Sequence, residues 1–430
     1  MSCNPILNVV DDLVEKGLYI GEYDQAILSF IFTLIRYQCV SRYSRSHSPS
    51  LPSTAFPTAG NAAQKDPAGC PFAASSAGSK RQYNAAPSGN FDPVKQKIDV
   101  TGKYAFKPPG PGDKRALANH GYIPRNGTPF MQAVEASNKV FGMSKEIGLS
   151  LSIVACVLTG NPTTLDYSIG GSPGGLNIPL LLSAPQGLSG AHNKFEGDGS
   201  PTRSDLYMNN GDASTMNLEY FKQLSAMKSE EDPNANFDYD TMITHRANRF
   251  NTSVSENPHF FYGPITGVFL QPGAHGSFFG VSGSGNNLTY LKGHDRIPDN
   301  WYRRPNDYTL VEYLLDVVYA AGKYPQFISI GGNTGKVNSF AGVSLDNLTG
   351  GVYNSANILQ GNNLVCFTYQ VLLNVTPDIL RGTVAGLLLT NVLGLLSKTL
   401  SPILSGFTCP ELIKYDGSVF KPYPGAGAAL

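Results

Sequence analysis

Charged residues are scarce in this chain, and neither sign prevails. Asp, Glu, Lys and Arg form 15% of the sequence, with 32 basic side chains against 32 acidic ones. Without a net charge or a cluster of basic residues, nothing in the sequence would attract nucleic acid or an anionic membrane surface. We therefore expect neither as a partner. Gly (46) and Pro (30) are abundant instead, which is typical of a loop-rich globular protein.

Long hydrophobic runs are missing as well. The apolar run at 26–35 is too short to span a bilayer, and it follows acidic residues where a secretory signal would carry basic ones. Residues 1–40 are therefore interpreted as an N-terminal extension, either a mis-assigned first exon or a buried helix. Residues 41–90 are rich in Ser, Ala, Pro and Gly, and we expect them to be flexible because they bury little apolar surface. The folded domain is predicted to span 91–430.

The six cysteines never stand in the C-x-x-C spacing of a zinc or redox motif. A soft-metal cluster is therefore not expected. Cys156 lies in an apolar run and is predicted to be a small buried hydrophobe. No cysteine lies between Cys70 and Cys156.

Apolar periodicity and helix-start residues predict a single large, mostly α-helical domain with long loops and few short strands. Thr128 is expected to cap one helix, with Pro129 at its first position. Further helices are predicted at 145–158, from Ser200 to about Met227, at 308–321 and at 386–400. The aromatic segment 260–279 has two interpretations: plain core, which we favour, or the lining of an apolar pocket.

The stretch at 195–205, Phe-Glu-Gly-Asp-Gly-Ser-Pro-Thr-Arg-Ser-Asp, carries the densest polar chemistry in the chain. Glycines between the carboxylates and hydroxyls let the backbone turn sharply and offer its carbonyls. Hard oxygen donors at this density suit a cation such as Mg²⁺ or Ca²⁺. On these residues alone an ordinary turn followed by a helix, with Ser200 as N-cap and Pro201 first in the helix, is the favoured alternative.

The flanks of this stretch favour the cation. His-Asn-Lys-Phe-Glu-Gly-Asp-Gly-Ser-Pro-Thr-Arg at 192–203, together with Ala-Asn-His-Gly-Tyr-Ile-Pro-Arg-Asn-Gly at 118–127, resembles the fungal haem-thiolate peroxidases, the chloroperoxidases and unspecific aromatic peroxygenases. Weaker matches follow in the same order at 257–260, at 335–340 and at Cys366 and Cys409. The resemblance covers residues 90–415.

This resemblance implies a fold of the chloroperoxidase type, a haem b cofactor, and hydrogen peroxide acting on an aromatic or other small organic substrate. It also implies that Glu196, the Gly197 carbonyl and the Ser200 hydroxyl hold Mg²⁺ or a similar divalent cation, which in turn binds a haem propionate. Cys366 and Cys409 would form a disulfide, which places the domain in an oxidising compartment and suggests a secreted protein. The alternative is a non-catalytic relative that keeps the fold and serves as a binding or structural protein.

The chain departs from the family at the haem iron. Family members carry a Pro-Cys-Pro motif that supplies the axial thiolate, but here Arg115 passes directly into Ala116. Either Cys70, in its Gly-Cys-Pro-Phe setting, reaches the iron, or the motif is missing from this version of the sequence. We favour the second, because a segment poor in apolar residues offers little packing to hold an axial ligand.

The acid-base group that moves the peroxide proton is also not in its usual place. Counting from Asn257-Pro258, the family's Arg and Glu would fall at Thr266 and Gly273, and no Glu lies between Glu256 and Glu312. His275 is the nearest side chain that could take this role, since histidine titrates near neutrality. The alternative for His275 is a surface loop histidine with no catalytic part.

Overall fold

The computed structural model describes residues 89–110, 116–161, 166–170, 190–194, 196–228, 237–270, 281–282, 287–374 and 409–428. All of these lie within one compact unit, residues 56–430. The predicted N-terminal extension and the helix expected at 386–400 lie outside the described residues, as do Cys70 and His275. In the described parts of the chain, no helix is long and apolar enough to cross a membrane.

Helices form most of the regular structure in the described ranges, as the sequence predicts. The α-helices are α1 (Pro93–Gln96), α2 (Ala116–Asn119), α3 (Phe130–Phe141), α4 (Lys145–Leu158), α5 (Leu218–Ser225), α6 (Tyr239–Glu256), α7 (Leu310–Lys323), α8 (Leu345–Thr349) and α9 (Asn363–Asn374). A π-helix spans Pro264–Leu270, and short 3-10 helices span Gly102–Tyr104, Tyr207–Asn209, Pro325–Ile328, Gly417–Phe420 and Pro424–Ala428.

The strands are short, and every described pair is antiparallel. They are β1 (Thr128–Pro129), β2 (Asp166–Tyr167), β3 (Phe261–Tyr262), β4 (Val281–Ser282), β5 (Thr289–Tyr290), β6 (Gly331–Gly332) and β7 (Ala341–Gly342). β1 pairs with β2, β4 pairs with β5, and β6 lies between β3 and β7. A mostly helical fold with few short strands is therefore confirmed.

Local sequence signals explain most helix boundaries. α4 begins and ends at the predicted residues. α7 begins at Leu310 because Thr309 forms a capping box with Glu312, in which each side chain accepts a bond from the other residue's backbone N–H. Thr128 does not cap α3 as predicted, because it pairs with Tyr167 in a strand and the helix starts at Phe130.

The helix predicted from Ser200 to Met227 is wrong over most of its length. Its first part is an irregular loop, and α5 begins only at Leu218, where the Asn217 side chain accepts from Glu219 N at 2.9 Å. The reason is local competition for backbone N–H groups. Nearby carboxylates accept from the backbone of this loop, so the N–H groups are bonded to side chains instead of helical carbonyls.

The largest apolar core joins α6, β3, α7 and the C-terminal segment. The aromatic residues at 260–262 belong to it, as favoured from the sequence, and Phe260 lies with its ring centroid 5.0 Å from that of Phe250. A disulfide joins Cys366 and Cys409, which confirms the expected pairing. Beyond it, Phe420 packs edge-on against Phe261, so the C-terminal segment completes this core.

Candidate cation site and haem environment

Glu196 lies in a tight loop whose backbone bonds to itself. Its N–H donates to Ala191 O at 3.1 Å, and its carbonyl accepts from Asn193 N at 2.6 Å. The side chain is 4% exposed, and Oε2 lies 3.0 Å from His192 Nδ1. Burial lowers the pKa of His192, but the bond to Glu196 and the charge of Asp198 outweigh this effect and raise it. The other carboxylate oxygen, Oε1, is buried and has no hydrogen-bond partner among the described residues.

Two buried carboxylates follow Glu196 and hold the next turn of the loop. Asp205 Oδ1 accepts from Gly199 N at 2.9 Å, and Asp198 Oδ1 accepts from Leu206 N at 3.1 Å. The Asn257 amide nitrogen donates to both, at 3.3 Å to Asp198 Oδ2 and 2.9 Å to Asp205 Oδ2. Burial and the neighbouring charge of Asp205 raise the pKa of Asp198 well above its usual range. Gly199 has φ 70°, a left-handed conformation that glycine adopts without strain.

Helix α6 supports the same loop from one side. His245 Nε2 lies 2.7 Å from Pro201 O, and Arg249 Nε donates to Ser200 O at 3.3 Å. The guanidinium of Arg249 lies 3.4 Å from the centre of the Tyr220 ring on α5, a cation–π contact. These side chains are buried although they are polar, because the loop offers carbonyl oxygens to bond them.

The predicted cation ligands fit a hard divalent ion. Glu196, Gly197 and Ser200 are all buried in this loop, and they offer a carboxylate, a carbonyl and a hydroxyl oxygen, the donors that Mg²⁺ prefers. Ser200 Oγ accepts from Arg203 Nε at 3.3 Å, which leaves it further acceptor capacity. Glu196 Oε1 is available to such an ion, because it is buried without a hydrogen-bond partner among the described residues, and an unbonded buried acceptor costs about 1–3 kcal/mol. Within the described ranges, no three His, Cys, Asp or Glu side chains are grouped so that they could hold a metal. A cation here would therefore depend on the carbonyl and hydroxyl oxygens as well as on Glu196.

Comparison with known proteins places this loop in a family. A profile described as "Peroxidase, family 2" matches residues 104–306, which include the loop. The chain is 40% identical over 384 residues to the aromatic peroxidase fscJ of Fusarium equiseti, covering 78% of this chain and 86% of that protein. The chain belongs to peroxidase family 2.

Other members of the family show similar coverage of their own length. The dothistromin biosynthesis peroxidase dotB of Dothistroma septosporum is 38% identical over 369 residues, covering 78% of this chain and 87% of the relative. An aromatic peroxygenase of Coprinellus radians is 30% identical over 224 residues, covering 47% of this chain and 84% of the relative. The chain is therefore an oxidoreductase of the chloroperoxidase-type, haem-thiolate class, and family membership implies haem.

The described cysteines do not fit the axial thiolate that this family implies. Cys156 is 1% exposed on α4, and burial raises the pKa of its thiol to about 12, so the thiolate is disfavoured near neutral pH. Cys366 and Cys409 are bonded to each other. The remaining three cysteines lie outside the described residues. The described part of the chain thus fits the cation side of a haem site and not its iron ligand.

The Ala-Asn-His-Gly run that helps to identify the family has a structural part here. Asn119, at the end of α2, donates from Nδ2 to the carbonyls of Gly293 and Asp295 at 2.8 and 2.9 Å. His120 Nε2 accepts from Ile297 N at 3.1 Å, and burial lowers the pKa of this histidine, which favours the neutral form that can accept. These side chains fasten α2 to the 293–297 segment.

A cavity of about 370 Å³ opens beside α2. Ala118 and Asn119 line it together with Lys103, Lys107 and Arg125, and no cysteine is among its lining residues. Two of the arginine nitrogens are already bonded to backbone carbonyls, Nη1 to Pro108 O and Nη2 to Lys107 O. By itself the cavity therefore offers no cysteine as an iron ligand.

The sequence thus predicts a set of cation ligands but misses the side chains that hold their loop. Arg249 and Asn257 lie far along the chain from the loop, and only the Asn-Pro-His-Phe resemblance at 257–260 pointed to one of them. Thr266, at the position counted for the family's arginine, is a buried threonine on the π-helix and cannot titrate near neutrality.

Proposed function

We propose that this chain is a haem-dependent peroxidase or peroxygenase that uses hydrogen peroxide to oxidise an aromatic or other small organic substrate. Family membership supports the chemistry, and two relatives, an aromatic peroxidase and an aromatic peroxygenase, support the substrate class. The single observation in the structure that carries the proposal is the buried loop at 190–206 with its unpartnered carboxylate oxygen. When bound, haem would supply the redox centre that reacts with peroxide.

The experiment that tests this function follows peroxide-dependent oxidation of a small phenol. Purified protein reconstituted with hemin should show a haem absorption band and should oxidise the phenol only when peroxide is present. Hemin mixed with an unrelated protein at the same concentration measures the background. A reconstituted protein that oxidises no faster than this background would contradict the proposal.

The cation belongs to the same proposal. Glu196, the Gly197 carbonyl and the Ser200 hydroxyl would bind Mg²⁺, and three protein oxygens leave a six-coordinate ion incomplete, so a haem propionate would help to complete its shell. We expect stoichiometric Mg²⁺ only in hemin-loaded protein, and none in Glu196→Gln. Glu135→Gln is the matched control, because Glu135 lies on α3, is exposed and pairs only with Lys145 at the start of α4 among the salt bridges described. Equal Mg²⁺ in wild type and Glu196→Gln would show that this ligand set is wrong.

His275 is the proposed acid-base residue. The support is the sequence, which places no other titratable side chain close to the position counted for the family's glutamate. His275→Gln should slow the reaction with peroxide roughly a hundredfold and flatten its pH dependence. His294→Gln, in a described loop before α7, is the control. Unchanged pH dependence in His275→Gln would remove this residue from the proposal.

The alternative function is a binding or structural relative without catalysis. None of the cysteines in the described ranges can serve as a thiolate ligand. A protein of this kind would show no haem band after expression with added haem precursor, while it would still fold with the Cys366–Cys409 disulfide. The same absorption spectrum therefore separates the two functions.

Secretion is proposed on the disulfide alone. Disulfides persist in oxidising compartments, and this one closes a stretch with a sequence separation of 43 residues. Detection of the protein in culture medium, with a cytosolic marker absent, tests this. Recovery only from the cell interior would contradict it.

A further inference from the structure

We propose that Asn257 and Arg249 are positioning residues of the cation loop, and that cation affinity depends on them although neither supplies a ligand. The inference deepens the proposed function and rests on its cation site. Asn257 is fully buried directly after α6, and its single amide nitrogen joins the carboxylates of Asp198 and Asp205.

The two carboxylates close the loop into a ring by crossed bonds. Asp205 accepts from the backbone N–H of Gly199, beside the first carboxylate, and Asp198 accepts from that of Leu206, beside the second. Ser200 lies between these two fastened points. The backbone that presents the Gly197 and Ser200 oxygens is therefore fixed by the distance between the two carboxylates.

Two buried carboxylates this close repel each other unless a donor lies between them. The amide of Asn257 supplies that donor, and its own orientation is fixed, because Oδ1 accepts from His259 N at 2.9 Å and so directs Nδ2 toward the carboxylates. The backbone is fixed as well, since Asn333 Nδ2 donates to Asn257 O at 2.7 Å. Asn257 is thus a rigid bridge, and an aspartate there would replace its amide donor with a third carboxyl group.

Arg249 fixes the loop from α6. Its Nε donates to Ser200 O at 3.3 Å, and Nη2 lies 3.8 Å from Asp205 Oδ1. A lysine at this position keeps the charge but cannot make both contacts with one planar group. The carbonyl of Ser200 is held by this bond, so the geometry of the neighbouring hydroxyl depends on Arg249.

The test measures cation affinity and fold stability separately. Mn²⁺ replaces Mg²⁺ as the probe, and its free fraction is followed by electron paramagnetic resonance during titration of the full chain with and without excess hemin. Asn257→Asp, Asn257→Ala and Arg249→Lys should each weaken Mn²⁺ binding roughly tenfold or more, as for other residues that orient metal ligands. Val317→Ala, in the apolar core on α7, is the control that lowers the melting temperature without touching the loop.

A general loss of stability would affect all four variants alike, whereas a positioning role affects only the loop variants. Val317→Ala should bind Mn²⁺ as wild type does even where its melting temperature falls as far as that of Arg249→Lys. If Val317→Ala loses Mn²⁺ equally, or if a folded Asn257→Asp or Arg249→Lys binds as tightly as wild type, the inference is wrong. If wild type itself binds no Mn²⁺ in either condition, the proposed cation site fails, and this inference fails with it.

Discussion

The proposed cation loop, at 190–194 and 196–206, and the start of α2 at Ala116 both lie in the part of the chain that the family profile matches, but they differ in the ligands that they offer. In the loop, crossed side-chain bonds and two α6 residues fix the backbone, and the buried Glu196 Oε1 lacks a hydrogen-bond partner among the described residues. At α2, Asn119 and His120 hold the helix in place, yet no cysteine lies between Cys70 and Ala116. The bonds that hold α2 and those that hold the loop come from different residues, so the two regions can be tested separately.

The largest effect is expected at the start of α2. Inserting a Pro-Cys-Pro-containing loop between Arg115 and Ala116 should convert weak haem binding without thiolate character into stable binding with the red-shifted ferrous-CO band of a thiolate-ligated haem, because α2 and its hydrogen bonds are already present to support it. The spectrum of the reduced protein under CO is the measurement. The same insertion with Ser in place of Cys is the control and should give no such band.

The alternative source of the ligand is Cys70. If the unmodified chain shows the thiolate band, and Cys70→Ala abolishes it while Cys156→Ala does not, then the first prediction is wrong. In that case Cys70 is the axial ligand of the haem iron, and no insertion before Ala116 is needed.

The second prediction concerns the disulfide. The C-terminal segment that follows Cys409 reaches the cation loop, where the Gly425 carbonyl accepts from Asn193. Cys366→Ser with Cys409→Ser should lower the free energy of unfolding by about 4 kcal/mol, the loop-closure effect expected for a separation of this length. Denaturant unfolding of the double variant and of reduced wild type measures it, and the two should agree. Peptide mapping that finds both thiols free in folded wild type would contradict the disulfide itself.

How far the sequence predicts this structure depends on the distance between partners. The bounds of α4 follow from local apolar periodicity, and the start of α7 needed only the capping pair Thr309 and Glu312. The helix predicted after Ser200 was wrong because Asp198 and Asp205 accept from the backbone N–H groups of the loop. These carboxylates are in turn bonded by Asn257, which lies 59 residues from Asp198 and 52 from Asp205. No local rule reports contacts at that separation, so Arg249 and Asn257 could not be predicted as supports of the loop.

Gly425 tests whether the C-terminal segment supports the cation loop. Its carbonyl accepts from Asn193 Nδ2 at 2.8 Å, and a Cβ at this position would lie 1.7 Å from His259 O. Gly425→Ala should therefore displace the segment and cost about 1–3 kcal/mol of stability, as other overpacked substitutions do. Gly427→Ala is a control in the same 3-10 helix, where an added Cβ meets nothing within 4 Å.

Thermal melting with a titration of Mn²⁺ distinguishes the two effects in these glycine variants. We expect Gly425→Ala to lose both stability and cation affinity, and Gly427→Ala to lose neither. If the two variants bind Mn²⁺ equally well, the C-terminal segment does not support the cation loop.

The last prediction has the smallest expected effect and concerns the start of α7, which lies outside both regions. Thr309 caps α7 by accepting from Glu312 N at 3.2 Å, and Glu312 Oε2 accepts from Thr309 N at 2.7 Å. Thr309→Ala removes half of this capping box and should cost about 1 kcal/mol, while Thr309→Ser should restore most of it because serine keeps the hydroxyl. Since α7 contributes no side chain to the loop bonds described above, neither variant should change Mn²⁺ affinity or the ferrous-CO spectrum. Thr309→Ala could instead lose more free energy of Mn²⁺ binding than free energy of unfolding. The cation loop would then respond to changes anywhere in the apolar core, and the effects of the Asn257 and Arg249 variants would not show a specific positioning role.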